Sequence, residues 1–365
     1  MQIRADQLAA HLAKGLRPLY TLHGDEPLLL QEAADTIRAA ARAAGYGERT
    51  VHTVAGGHFD WSGLLGDACA MSLFAERRLV EIRIPNGKPG KDGSQALQDY
   101  CARLPEDVLT LVQLPRLDKA TQSSAWFAAL DAHGVTLRID PIERRALPQW
   151  IAQRLAAQGQ HVAAGDEGQR TLAFFADRVE GNLLAAHQEV QKLGLLHPPG
   201  ELSFEQVESA VLNVARYDVF KLSEALLGGQ VARVLRMLDG LQAEGEAPVL
   251  VHWALAEDIR ALRRVKEAQA AGRPLPMALR ENRVWGVKEK LFERVLPLLE
   301  NTTLDALVEA AQVCDGLVKG LRHPLWPADP WDALRRLALL LAQHTAAATG
   351  GRHGTAPLRL VDAAQ

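Results

Sequence analysis

The chain has 365 residues, 48% hydrophobic and 23% charged, and its 41 Lys and Arg against 44 Asp and Glu leave a net charge of −3. That composition describes a folded chain with enough apolar mass for two or three domains, and it lacks the basic excess of a protein that holds DNA by itself. Its three cysteines (Cys69, Cys101, Cys314) and twelve scattered histidines form no disulfide framework, zinc spacing or HExxH motif, so no metal and no cofactor is expected.

The opening MQIRADQLAAHL is polar and amphipathic, without the apolar core of a signal peptide. LYTLHG (19–24) reads as a buried strand ending in glycine. DEPLLLQEAADTIRAAARAAG (25–45) reads as a helix, with Asp25 as N-cap, Pro27 in the first turn and Gly45 at the far end. RTVHTV (49–54) and RLVEIRI (78–84) alternate as strands. GKPGKDGS reads as a loop and ALQDYCARL as a helix. VLTLVQL (108–114) and VTLRID (135–140) are strands, with the helix QSSAWFAALDAHG between them. Strands alternating with helices require crossover connections and parallel pairing, so residues 1–140 form an α/β domain.

After Pro141 only helices are expected. ERRALPQWIAQRLAAQG, DEGQRTLAFFADRVEG, NLLAAHQEVQKLGLL and SFEQVESAVL, the last opening on a Ser203–Gln206 capping box, make a small helical unit over 141–212. Further helices, from YDVFKLSEALLGG to PWDALRRLALLLAQ, make a bundle-like domain over 213–343. Its apolar positions Val219, Leu222, Leu226, Leu227, Val231, Val234, Leu235 and Leu238 form broad helix faces, part of which must be the domain's own core. The tail 344–365 is small, polar and interrupted by Gly and Pro, and is expected to be disordered. LALLLA at 337–342 is far short of the roughly 20 residues a membrane span needs, so a cytoplasmic protein is expected.

An α/β domain followed by a small helical lid is the plan of AAA+ ATPases, but the nucleotide chemistry is missing. The first strand–helix junction, LHGDEPLLLQEA, has one glycine, no lysine and two carboxylates, Asp25 and Glu26, where phosphates would sit. The strand VLTLVQL ends in Gln113-Leu114 rather than an acidic pair, with Asp118 several residues late. EGNLLAAHQEVQKL carries Leu184 about where a phosphate-sensing arginine would fall. Asp25 and Glu26 read better as helix N-cap and first-turn acids than as a catalytic pair.

The segment ACAMSLFAERR (68–78) is apolar apart from Ser72 up to Glu76. By composition, Leu73 and Phe74 are either ordinary core or a plug for another protein. YTLHGDEPLLLQEAADTIR, MSLFAERRLVEIR, GNLLAAHQEVQKLGLL, ARYDVFKLSEALLGG, RVWGVKEKLFERV and LVKG followed by PWDALRRLALLLA occur in this order. With them, the chain resembles, over nearly its full length, the delta-subunit family of the bacterial DNA polymerase III clamp loader. It departs from the pattern in the long basic linker NGKPGKDGSQAL and in the tail.

The resemblance implies a AAA+-like fold, a lid and a collar domain. It implies a component of the DNA polymerase III holoenzyme without catalysis of its own, which binds and opens the sliding clamp during DNA replication. The implied partners are the sliding clamp (the beta subunit), the delta prime and tau/gamma subunits, and primer–template DNA. On this sequence the clamp-binding pair falls on Leu73 and Phe74, with Met71 and Ser72 beside them. The competing readings are a degenerate nucleotide hydrolase and a stand-alone DNA-binding protein. A second candidate surface is LRENRVWGVKEK (279–290), where Arg280, Arg283, Lys288 and Lys290 surround Trp285 and the nearby helix adds Arg260, Arg263, Arg264 and Lys266. Either Trp285 is a core anchor beneath a solvated charged face, or this surface meets DNA in the loader's channel.

Overall fold

The computed structural model describes residues 1–54, 59–69, 77–212 and 214–346, with the backbone alone at 65 and 67–69. Among them, six strands build one sheet: β1 Gln2–Arg4, β2 Leu19–Gly24, β3 Glu48–Thr53, β4 Arg78–Arg83, β5 Val108–Pro115 and β6 Val135–Ile139. Their order is β1-β6-β2-β5-β4-β3, and every neighbouring pair is parallel, as the alternation with helices requires. The central strands read as unbroken apolar runs because both faces are covered: every residue of β2 is buried, and β5 is buried over Val108–Val112. The edge strand β3 instead alternates between half-buried and exposed positions. The observed class is α/β followed by helices, as expected from the sequence.

Several elements differ from the sequence reading, each for a local reason. β1 was not anticipated: it is three residues long and contributes one buried side chain, Ile3. The helix after the β4 turn begins at Gly90, not Ala96, and runs to Cys101, so most of the supposed basic linker is helical. The helix Trp61–Cys69 was also missed. Strands do not stop at Pro141, because β7 Gln160–Val162 and β8 Gly200–Leu202 pair as a second small sheet. The N-cap of the helix Pro27–Ala43 is Glu26 rather than Asp25. The Ser203 capping box forms as expected: Gln206 N donates to Ser203 Oγ at 3.3 Å, and Ser203 N donates to Gln206 Oε1 at 2.8 Å.

The chain groups into two compact units, Met1–His161 with Leu183–Glu201, and Val162–Asn182 with Leu202 onward. In the first, the helices Leu147–Ala157 and Leu183–Leu196 pack together, and Arg154 forms a two-pronged ion pair with Glu32 of the helix Pro27–Ala43, both contacts at 2.6 Å. In the second, the long helices Pro248–Ala270 and Asn301–Val318 pack on each other and on Pro330–Ala346, whose Leu337, Leu340 and Leu341 are fully buried. That packing accounts for the apolar run at 337–342; no helix among the described residues is long and apolar enough to cross a membrane. Arg233 grips Glu180, and Arg236 pairs with Asp177 at 2.9 Å, tying the helix Asp166–Val179 and the residue after it to Val231–Ala243.

One buried charge organises the sheet. Glu81 of β4 is fully buried and accepts paired hydrogen bonds from Arg38 (2.6 and 2.9 Å) and from Arg49 (2.6 and 3.1 Å), with Arg83 at 3.2 Å. Burial alone would raise the Glu81 carboxyl, but the hydrogen bonds and charge of Arg38 and Arg49 outweigh it and hold it at about 2. This carboxyl therefore contributes its full stability above its ordinary 4.5 and loses it as the pH falls towards 2. Glu81→Gln should destabilise the protein by about 3 kcal/mol, the usual cost of stranding one side of a buried ion pair. Urea titrations across that acid window should lose stability more steeply for the wild type than for the variant; parallel curves would contradict this.

Candidate functional site

Met71, Ser72, Leu73 and Phe74, the expected clamp-contact residues, lie outside the described residues. The structure shows what holds the chain on either side of them. Before them, the helix Trp61–Cys69 is seated in the core by Trp61 and Leu64. The Trp61 indole lies against Gly93, where an added Cβ would come within 2.4 Å of the ring. Asp60 secures the helix start, accepting from Gly63 N at 3.0 Å and from Ser62 Oγ at 2.6 Å. After them, Arg77 leads directly into β4, whose first residue donates from its backbone N to Asp107 O at 2.9 Å. Arg77 Nη1 reaches back to Ala44 O at 3.1 Å, and its guanidinium carbon sits 5.6 Å from the Tyr46 ring centre. Sequence reasoning passed over Arg77 and Tyr46, which lie 31 positions apart and share no motif.

The corner where a nucleotide would sit is filled by the protein itself. Glu26 accepts from Leu28 N at 3.3 Å, so a side-chain carboxylate already serves the first turn of the helix Pro27–Ala43. Burial raises the Glu26 carboxyl, the hydrogen bond from Leu28 lowers it, and neighbouring Asp25 raises it again. Asp25 pairs with Arg116 at 3.1 Å. Gly24 is not open to a ligand: a Cβ there would lie 1.9 Å from Ile139 O, so the glycine allows β6 to approach. Asp118 caps the short helix Lys119–Gln122 by accepting from Thr121 N at 2.7 Å. Gly181, the glycine before the helix Leu183–Leu196, has φ +75° and would place a Cβ 1.8 Å from Arg216 O, which explains it without a phosphate. Among the described residues, no group of His, Cys, Asp and Glu could hold a metal ion. Burial pushes the thiols of Cys101 and Cys314 up to about 11 and 12, so neither is a ready nucleophile.

At the second candidate surface, Trp285 is 57% exposed and is therefore not a core anchor. It sits in a short connection between the helices Leu275–Glu281 and Val287–Val295. The connection carries two left-handed residues, Arg283 (φ +57°) and Gly286 (φ +65°), and is pinned by buried Val284. Arg280 and Arg283 are exposed beside Trp285. Lys288 is committed elsewhere, pairing at 2.7 Å with buried Asp258. The basic helix is also internally engaged: Arg260 and Arg264 bind Glu257, Arg263 binds Asp305 and Glu267, and Lys266 donates to Leu296 O. The surface that could meet an anion thus contracts to Arg280, Arg283, Lys290 and Trp285, all exposed.

A family model described as DNA polymerase III, delta subunit, matches residues 20–140. DNA polymerase III subunit delta of Escherichia coli (strain K12) is 32% identical over 341 residues, covering 93% of this chain and 96% of that protein. The protein of the same name from Haemophilus influenzae is 28% identical over 331 residues, covering 87% and 94%. Among solved structures, the Bacillus subtilis DNA clamp loader delta protein aligns with a TM-score of 0.49 and 19% identity, covering 93% of this chain and 99% of that one.

With its helix N-terminus already served by Glu26 and Asp25 held by Arg116, the chain should show no saturable heat on titration with Mg-ATP. A magnesium-dependent micromolar site would contradict this.

Proposed function

The chain belongs to the DNA polymerase III delta subunit family, and from that premise we propose that it binds and opens the sliding clamp so that the ring can be placed on primed DNA. The supporting observation in the molecule itself is the strand–helix corner closed by Glu26 and Asp25. A chain of motor-like architecture whose phosphate site is taken by its own carboxylates acts through binding energy, as a non-catalytic part of the holoenzyme. Within this reading, residues 1–140 bind the clamp, 141–212 form the lid and 213–343 the collar that assembles with the delta prime and tau/gamma subunits, in the cytoplasm.

Leu73 and Phe74, flanked by Met71 and Ser72, enter an apolar pocket on the clamp. Seating one Leu and one Phe there contributes roughly 1.5–3 kcal/mol each, the scale of two interface anchors. The assembly face of the collar does not include Val219, Leu222, Leu226, Leu227, Val234 or Leu238, which are buried in its own core. The exposed Phe220 of the helix Val219–Leu227 and the exposed Val249, Leu250 and Trp253 of the helix Pro248–Ala270 suit the role better. Arg280, Arg283 and Trp285 meet primer–template DNA, the arginines on phosphates and the indole on a base face.

Replacing Leu73 and Phe74 together by alanine should abolish capture of the purified sliding clamp while leaving the thermal unfolding of the chain unchanged. Capture at wild-type affinity would end the clamp reading. In the assembled loader, Trp285→Ala should weaken primer–template binding by the roughly 1–3 kcal/mol of one stacked base. Because Trp285 is exposed, Tm should shift by less than about 2 °C. An unchanged DNA affinity would remove the DNA role.

A further inference from the structure

Trp285 is more than half exposed, so contacts of its own ring do not fix it. The backbone on either side does. Ahead of it, the helix Leu275–Glu281 ends in a Schellman arrangement. Arg283 N donates to Arg280 O at 3.2 Å and Val284 N donates to Leu279 O at 3.0 Å, with Val284 and Leu279 both buried. The left-handed position of that turn, usually a glycine, is Arg283, the one non-glycine residue of positive φ among the described residues. Behind Trp285, Gly286 turns the chain into the helix Val287–Val295, and its N donates to Glu289 Oε1 at 3.2 Å.

The helix Pro248–Ala270 grips this connection at both ends. Arg264 Nε donates to Asn282 Oδ1 at 2.9 Å, and Lys288 Nζ donates to Asp258 Oδ1 at 2.7 Å. Asp258 is buried, and its second oxygen, Oδ2, has no hydrogen-bond partner among the described residues. A buried carboxylate with an unanswered oxygen is costly to keep. What it does in return is hold Lys288, which would otherwise stand beside the exposed Arg280, Arg283 and Lys290. We propose that Asp258, acting through Lys288, is a positioning residue for the DNA surface: it fixes the connection between the two helices and aims Trp285. One cation is withdrawn from the anion-facing set and used for rigidity, so the indole has less freedom to lose when it stacks. This rests on the DNA reading of Trp285 above. The fold depends on the pair less, because Phe292 and Val295 seat the helix Val287–Val295 in the bundle core independently.

The test is a titration of labelled primer–template DNA with the assembled loader at several salt concentrations, with thermal unfolding of the chain measured in parallel. Asp258→Leu removes the buried charge and frees Lys288, which is part-exposed and can turn to water, so Tm should stay within about 5 °C. Affinity should nevertheless fall roughly 2- to 10-fold, the scale of one side chain that must now be ordered on binding. The salt dependence should be unchanged, and the variant should add no further loss in a Trp285→Ala background. Asp258→Asn, which keeps an oxygen for Lys288 to donate to, should recover most of the affinity. The opposite sign would overturn the proposal: if Lys288 is merely a masked phosphate contact, Asp258→Leu binds more tightly and steepens the log–log salt slope by about 0.7–0.9. If Asp258→Leu binds like wild type while Trp285→Ala is weakened, the positioning role fails and the DNA reading stands. If Trp285→Ala also binds like wild type, the DNA reading fails and the inference with it. Should Asp258→Leu lose its fold, Asn282→Ala decides, because it loosens the other end of the connection without touching the buried pair: weakened binding at unchanged Tm supports the proposal, and wild-type affinity overturns it.

Discussion

A carboxylate in the middle of a parallel sheet has no water to solvate it, and Glu81 is such a carboxylate. Its charge survives because Arg38 arrives from the helix Pro27–Ala43 and Arg49 from the edge strand β3, each with two hydrogen bonds. The same pairs that neutralise Glu81 therefore fix that helix and β3 relative to β4. The helix carries Glu26 at its start and the Tyr46 turn at its end, and β4 begins immediately after Arg77. Both the closed nucleotide corner and the exit of the expected clamp-contact segment hang on elements that Glu81 ties together.

The corner after β2 meets its own electrostatic demand from within the chain. A helix N-terminus at the end of a buried strand attracts anions through its unpaired N–H groups and its dipole. In this chain the attraction is met from within, by Glu26 on Leu28 N, while Arg116 balances Asp25. Gly24, at the first strand–helix junction, and Gly181, just before the helix Leu183–Leu196, are required by the approaching carbonyls of Ile139 and Arg216.

Most of this was legible in the sequence where the signal was long or repeated. The strands at 19–24, 49–54, 78–84, 108–114 and 135–140 were readable from apolar runs bounded by turns, and their parallel pairing followed from the helices between them. Three-residue strands such as β1, β7 and β8 are too short to show a period. Asp25 and Glu26 are adjacent acids, and only the backbone angles decide that Glu26 is the cap. For Trp285, sequence offered core anchor or exposed platform, and exposure settles the choice against the core. Lys288 looked like a DNA contact because its partner, Asp258, is 30 residues away on another helix. Val219, Leu222 and Leu226 fell into the core because a helix bundle must first satisfy its own apolar faces. The Arg77–Tyr46 contact joins residues with no shared motif, and only the fold brings them together.

The central claim is that this chain opens a ring with binding energy alone. The most direct measurement loads fluorescently labelled sliding clamp onto nicked circular DNA and follows its release after addition of the isolated chain without any nucleotide. Release well above the spontaneous rate, saturating with chain concentration, is expected. Clamp that stays on the circle at the spontaneous rate while the chain is bound to it would contradict a ring-opening role.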